Sequence, residues 1–280
     1  LEYDVPCGVP QGLSKSLVSS LVRAFYSIRF ARLDLGVKFR LMKREVKREL
    51  LDELPAGDRR AIRSRRDLQR VNAWMGHAHI MAHALAAAFT DRSPRSLVEL
   101  GAGDGTLLLR LAKSIAPRWK SVRAVLVDRQ PLLSPRTKAE FAALSWHVES
   151  VEMDVFDWLQ RTHAEQSDVT IANLFLHHFA ENDLRRLLWH AAQQTEFFLA
   201  CEPHRVNFSL CATTLLRFIG CNDVSRHDAK ISVRAGFVEN ELSALWPPAK
   251  DWRLMERKAG PFSHCFMAQR IDGFCDSLGL

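Results

Sequence analysis

The stretch Leu97-Val98-Glu99-Leu100-Gly101-Ala102-Gly103-Asp104-Gly105-Thr106 decides the fold of this chain. Its first residues belong to a short apolar run over 96–100 that reads as a strand. Three glycines follow at alternate positions, and apolar residues at helical spacing then continue to about position 115. A strand, a glycine loop and a helix in that order make a ligand loop. Glycine adopts backbone angles closed to other residues and lets a ligand approach the main chain, and the helix start offers free N–H groups. The spacing is G-x-G-x-G. The dinucleotide fingerprint G-x-G-x-x-G requires Gly or Ala at position 106, where Thr106 stands.

Outward from this loop, short apolar runs alternate with helical stretches. Strands are expected over 96–100, 124–127, 148–153, 169–173 and 197–201, with helices over 105–115, 134–144, 156–161 and 181–192 between them. Such alternation specifies a parallel sheet covered by helices on both faces, wound in the right-handed sense. Two last strands, 252–258 and 264–270, are joined by the Gly260-Pro261 turn, and a tight turn makes them antiparallel. The expected fold is therefore α/β, a doubly wound, Rossmann-like, seven-stranded sheet, mostly parallel with an antiparallel last strand. Before Pro94 the pattern is helical: 14–32, 37–54 and 66–89, with Gly76 a weak point inside the last. The chain is thus divided into a helical N-terminal cap over 1–92 and an α/β domain over 93–280, the latter interrupted by a helical insertion at 206–247.

Glu99-x-Gly101-x-Gly103-x-Gly105 resembles motif I of the class I S-adenosylmethionine-dependent methyltransferases, and the resemblance covers roughly positions 96–270. It implies S-adenosyl-L-methionine as cofactor and a cofactor site made of Glu99, Gly101, Gly103, Gly105, Asp128, Arg129, Asp154, Val155, Asn173 and Leu174. Asp128, at the end of the second strand, matches the acid that holds the ribose hydroxyls, and a carboxylate accepts two hydrogen bonds from a diol. Dehydrogenases use an acid at that place too. Asp154-Val155 match the position that meets the adenine amino group, although Asp154 also fits the N-cap of the following helix. Asn173-Leu174 match the segment along the methionine end. The reversed final hairpin is similar to that of this family and is foreign to dinucleotide-binding domains.

Methyl transfer from a sulfonium requires alignment and exclusion of water more than reactive side chains. An oxygen acceptor must also lose a proton, so a histidine at the carboxyl edge of the sheet is the expected base. Leu176-His177-His178-Phe179 supplies two candidates, His178 before His177, either of which equally suits a core or capping role. Glu202 and His204 follow the fifth strand on the same edge, and His204, Arg226 and His227 are the residues expected to meet the acceptor. In this family the region after the fifth strand covers the acceptor, and with the helical cap and abundant Trp and Phe it suits a closed apolar pocket. The expected activity is methylation of a small aromatic, polyketide-like acceptor, at a hydroxyl. Carbon methylation of a quinone-like ring is the alternative. His79 and His83 have metal-ligand spacing on a helix but no evident third ligand, so no metal is expected. His77 to His83 more readily line or seal the pocket.

With 47% apolar and 25% charged residues in 280, the chain can bury the core of one large domain and does not resemble a disordered one. The net charge of +7 is uneven: positions 21–70 hold 15 Lys/Arg against 7 Asp/Glu. That basic segment raises a second activity class, a nucleic-acid methyltransferase docking through it. Against this class, the place of an N-P-P-Y amine site reads Asn173-Leu174-Phe175-Leu176, and no Pro-Cys pair exists for a cytosine-attacking thiolate. A solvated helix face or peripheral contact with an anionic membrane are the other readings of the charge. No apolar run reaches the roughly 18 residues of a membrane span, and positions 1–11 carry acids and prolines unlike a secretory signal. Six cysteines without a C-x-x-C pair read as reduced thiols, which points to the cytoplasm. A homodimer through the helical N-terminal region is a further expectation drawn from related families.

Overall fold

The fifth strand shows why these residues make a two-faced sheet. In the computed structural model of the chain, Phe197, Leu199 and Cys201 pack into one apolar cluster, whereas Phe198 and Ala200 pack into another. Side chains of a strand alternate between faces, and a strand apolar at every position is one covered on both. The structure describes residues 42–55, 57–130, 132–161, 166–248 and 250–271. All of them lie in one compact unit, Arg40–Leu280.

The strands are β1 (Ser96–Leu100), β2 (Arg123–Asp128), β3 (His147–Glu152), β4 (Ser167–Asn173), β5 (Thr195–Pro203), β6 (Trp252–Ala259) and β7 (Ser263–Arg270). They form a single seven-stranded sheet in the order β3-β2-β1-β4-β5-β7-β6. Pairs among β1 to β5 are parallel, and β7 runs antiparallel to both β5 and β6. The strand order reverses between β1 and β4, and the crevice outside the carboxyl ends of those strands is where such sheets take ligands.

The helices are α1 (Leu50–Glu53), α2 (Arg59–Met75), α3 (His77–Ala88), α4 (Thr106–Ile115), α5 (Pro135–Ala143), α6 (Val155–Arg161), α7 (Glu181–Gln194), α8 (Asn207–Thr213), α9 (Asp223–Ala235) and α10 (Glu241–Leu245). On one face, Met81 and Leu85 of α3, Leu108 and Leu111 of α4, and Phe141 of α5 pack on Leu97, Leu126 and Leu199. On the other, Leu159 of α6 and Leu184, Leu187 and Leu188 of α7 pack on Leu100, Val127 and Phe198, and Trp246 closes that cluster. Local chemistry sets the ends. Ser134 caps α5, its hydroxyl accepting from the Thr137 N–H at 3.0 Å with Pro135 at the first turn, and Asn222 caps α9 at Ser225 N–H, 2.8 Å.

Two helical expectations fail. The helix expected over 66–89 starts earlier, at Arg59, and is two helices: Gly76 takes φ +72, ends α2 as a left-handed cap and starts α3. The helix expected over 37–54 is absent over 42–49, and only α1 is helical there. Burial in 42–47 alternates, with Met42, Arg44 and Val46 half-buried and Lys43, Glu45 and Lys47 exposed, as in an extended strap. The insertion, with Arg205 and Phe179, holds the strap in that form. Glu45 N–H donates to Arg234 O at 3.1 Å, Arg205 Nε to Met42 O at 2.7 Å, and Arg44 to Ala235 O and Phe179 O at 2.8 and 2.9 Å. The buried Asp228 carboxylate then accepts the first free N–H groups of α1, from Leu50 and Leu51, at 2.9 and 3.0 Å. These tertiary bonds outweigh a weak helical preference. The expected helix over 14–32 lies outside the described residues. No helix among the described residues is long and apolar enough to cross a membrane.

Candidate functional site

At the switch point the β1 loop is fastened to its neighbours by backbone. Gly101 and Ala102 N–H groups both donate to Val127 O, at 2.9 and 3.1 Å. Gly101, Gly103 and Gly105 all have positive φ, the region that favours glycine. A Cβ on Gly101 would lie 2.1 Å from Phe175 Cδ2, so the loops after β1 and β4 meet only because position 101 lacks a side chain. A Cβ on Gly103 would meet nothing within 4 Å, which leaves open space above the loop.

Three acids surround this loop. Asp128 Oδ2 accepts from Gly103 N–H at 2.8 Å and Oδ1 from Gln130 N–H at 2.9 Å, and the side chain stays partly exposed beside the open space. Asp104 bonds the Thr106 N–H and the Gln69 side chain of α2. Glu99 is buried, and its Oε2 has no partner. Burial, then the nearby Asp104 and Asp128, push the Glu99 carboxyl well above the usual carboxylate range. A buried, unpartnered carboxyl oxygen facing an open loop fits a ligand that brings a cationic or N–H group. Arg129 is exposed. Asp154 Oδ1 accepts from Phe156 N–H at 2.8 Å at the start of α6, the capping role weighed for it, while Val155 beside it is buried.

After β4, Asn173 is buried and its Oδ1 accepts from His77 Nδ1 at 2.7 Å. An amide oxygen only accepts, so His77 carries its proton on Nδ1 and its Nε2 accepts from the Ser263 hydroxyl at 2.8 Å. His77 is wholly buried and pushed down to about 4, chiefly by burial. Leu174 turns the chain with φ +50. Glu202, fully buried at the end of β5, then collects the next amides, Phe175 and Leu176 N–H at 3.0 and 2.9 Å on Oε1.

The same carboxylate binds His177, whose Nδ1 stands 2.7 Å from Glu202 Oε2. Its Nε2 faces Glu49 Oε1 at 3.4 Å, and both partners are buried. Burial alone lowers the imidazole, but hydrogen bonds to Glu202 and Glu49 outweigh it and raise His177 to about 9. With both nitrogens engaged, His177 is not a free base, and this departs from the expectation that placed it second as a candidate. His178 lies beside it, ring centroids 4.3 Å apart, with a quarter of its side chain exposed and Nδ1 3.4 Å from Asp52 Oδ2. Phe175, Phe179 and Phe156 make an edge-to-face aromatic run next to them. Among the described residues, Glu49, His177 and His178 also form a cluster of metal-ligand type, their ligand atoms within 4.8 Å of one another. The exposed His79 and His83 do not join it.

The remaining acceptor-side expectations are not brought against this pair by any hydrogen bond or ring contact among the described residues. His204 stacks on His264 at 6.1 Å, with a buried, unpartnered Nδ1. Arg226 bonds Asn222 O on its own helix, and His227 turns to Asp228 at 3.1 Å. Residues that sequence reasoning missed come instead from the strap, α1 and α2: Glu49, Asp52 and Gln69. Nothing local marks them, because their partners lie far away in sequence. Of the basic segment, Arg60 pairs with Asp223, Arg65 bonds Gln130 and Arg70 pairs with Asp67.

Residues 97–196 match the methyltransferase domain family. Among curated proteins none matches. Among solved structures, the plantazolicin methyltransferase BpumL in complex with SAH aligns over 76% of this chain and 91% of its own, with a TM-score of 0.57 and 13% identity. The same enzyme with a monoazolic desmethylPZN analog and SAH aligns at a TM-score of 0.53 and 13% identity over 75% and 95%. The mitomycin 7-O-methyltransferase MmcR aligns over 79% of this chain and 60% of its own, at 19% identity and a TM-score of 0.49. Residues 97–196 thus carry a methyltransferase domain match around the glycine loop at this switch point, and the sheet closed by a reversed hairpin has the fold of the solved S-adenosylmethionine-dependent methyltransferases to which the chain is similar.

Proposed function

We propose that this chain methylates a hydroxyl of a small, aromatic, polyketide-like acceptor seated at the carboxyl edge of β4 and β5. The observation that carries this reading is the His178–Asp52 pair beside Phe175 and Phe179, next to the Gly101 loop. It offers a partly exposed imidazole backed by a carboxylate, against aromatic side chains, where a flat hydroxylated ring fits.

The cofactor, when bound, supplies an electrophilic methyl group on a sulfonium. On this reading Asp128 accepts the ribose hydroxyls, Gly101, Gly103 and Gly105 give the main chain room, and Glu99 answers the cationic amino group. Asp154 and Val155 border the adenine, Arg129 flanks the ribose acid, and Asn173 and Leu174 line the methionine end, with His77 fixing the Asn173 amide. His178 takes the acceptor's hydroxyl proton as the oxygen–carbon bond forms and the carbon–sulfur bond breaks, the electron pair remaining on sulfur. His177, locked between Glu202 and Glu49, holds the ring of His178 in place. Helices α1 to α3 and the 206–247 insertion, joined through the strap, cover the acceptor and exclude water. The plantazolicin methyltransferase, which shares the fold, is described in complex with a monoazolic desmethylPZN analog and SAH. The internal pairing of Arg60, Arg65 and Arg70 weighs against a nucleic-acid docking face.

Calorimetric titration with S-adenosylhomocysteine, with NAD as control, tests the cofactor half: binding of the former alone is expected. A screen of phenols and polyketides, with the product analysed for oxygen or carbon methylation, tests the acceptor half. His178→Ala is expected to lower the rate about a hundredfold. An unchanged rate means that positioning alone suffices and removes His178 from the chemistry.

A further inference from the structure

We propose that Glu49, His177 and His178 form a divalent-cation site of the zinc class, with Glu202 and Asp52 backing the two imidazoles and an open position facing the acceptor's hydroxyl oxygen. The binding of the ion stands on geometry alone, and its role rests on the methyl-transfer reading above.

Four observations carry it. One carboxylate oxygen and two imidazole nitrogens, within 4.8 Å of one another, are the donor set of an open zinc site with three protein ligands. His177 Nε2 and Glu49 Oε1 are 3.4 Å apart, at the long end of hydrogen bonding. Two ligands each about 2.1 Å from a tetrahedral zinc lie about 3.4 Å apart, so the present spacing is the spacing of coordination. His177 has the orienting partner that metal-bound histidines use, its Nδ1 being 2.7 Å from Glu202, and the Asp52 carboxylate stands beside Nδ1 of His178 at 3.4 Å. The Ser232 hydroxyl of α9 donates to the same Glu49 Oε1 and fixes the carboxylate at this spot. His178 is only partly buried, which leaves the site open on that side.

An ion there would act as a Lewis acid on the acceptor. In that state His178 is a ligand rather than the base. Coordination weakens the hydroxyl O–H bond, and the proton passes to the two-fifths-exposed Asp52 and on to solvent. The oxygen then bonds the methyl carbon as the carbon–sulfur bond breaks, with its electron pair left on sulfur. Because Glu49 belongs to the strap and the histidines to the sheet edge, the ion would also fasten the strap over the site.

The test titrates chelator-treated protein with Co²⁺, read by its visible absorption, and with Zn²⁺, read by calorimetry. The expected result is one ion per chain, with the absorption of a tetrahedral site. Glu202→Gln and Asp52→Asn are expected to weaken it about tenfold to a hundredfold, and His178→Ala to weaken it further. The surface double variant His79→Ala/His83→Ala should leave it intact. S-adenosylhomocysteine binding by each variant reports that the fold has survived, and exposed Asp52→Asn keeps the test open where a core variant does not fold. No ion bound by the native chain, a signal that persists in His178→Ala, or one lost only in His79→Ala/His83→Ala overturns the proposal. A native chain that binds cobalt but not S-adenosylhomocysteine would instead overturn the methyl-transfer reading.

Discussion

Acidification should loosen this protein through His77, and the size of the effect follows from its surroundings. The imidazole is wholly buried between Asn173 Oδ1 and the Ser263 hydroxyl and is pushed from 6.5 down to about 4, mainly by burial. In the unfolded chain it protonates near 6.5, whereas in the folded chain it stays neutral until about 4. Between those values the unfolded state binds the extra proton. Stability is therefore complete above about 6.5 and is lost progressively as pH falls toward about 4. The full difference corresponds to about 3 kcal/mol, and about 2 kcal/mol of it falls between roughly pH 7.5 and pH 5. Urea unfolding of the native chain and of His77→Gln at those two pH values isolates this share. The variant should be less stable at both, since Asn173 and Ser263 lose a partner, but its loss on acidification should be smaller by about 2 kcal/mol. His204, also lowered to about 4 but only partly buried, acts in the same direction in both proteins and cancels in the comparison. Equal acid sensitivity of the two would refute the reasoning.

Other perturbations separate the roles of the remaining elements. Gly101→Ala combines a positive φ with a Cβ driven into Phe175, so a loss of about 2–5 kcal/mol is expected in a thermal melt, against about 1–2 kcal/mol for Gly103→Ala, which meets open space; equal costs would mean that the two loops do not meet as described. Asp128→Ala removes a carboxylate from the loop rim and should weaken S-adenosylhomocysteine roughly tenfold to a hundredfold by calorimetry. Glu99→Gln should leave the fold at least as stable, since it replaces a carboxyl already disfavoured as an anion, yet still weaken that ligand; an unchanged affinity would take Glu99 out of the cofactor site. Asp228→Ala frees the Leu50 and Leu51 amides, and hydrogen exchange there should accelerate while the amides of β4 and β5 keep their protection.

Much of this protein was legible in its sequence because the signals are local. A strand, a glycine loop and a helix lie within 96–115, and their order alone placed the glycine loop at the sheet's switch point. The final hairpin announced itself by two strand-like stretches, 252–258 and 264–270, around Gly260-Pro261, and the two-sided burial of β5 is written in an unbroken apolar run. Gly76 was visible as a weak point, though not as the left-handed joint between two helices.

Only the tertiary structure decided which side chains meet. Residues 42–49 look helical by spacing, yet they run extended because carbonyls of a distant insertion and the Arg205 guanidinium before it bond them. That change of conformation delivers Glu49 to His177, 128 residues away in sequence, and Asp52 to His178. It also explains why His177, the same residue type as His178 and next to it, has both nitrogens taken while its neighbour stays partly exposed. A sequence states each residue's chemistry and local propensity. Burial and charge partners are properties of the packed chain, and they divide the roles of two adjacent histidines.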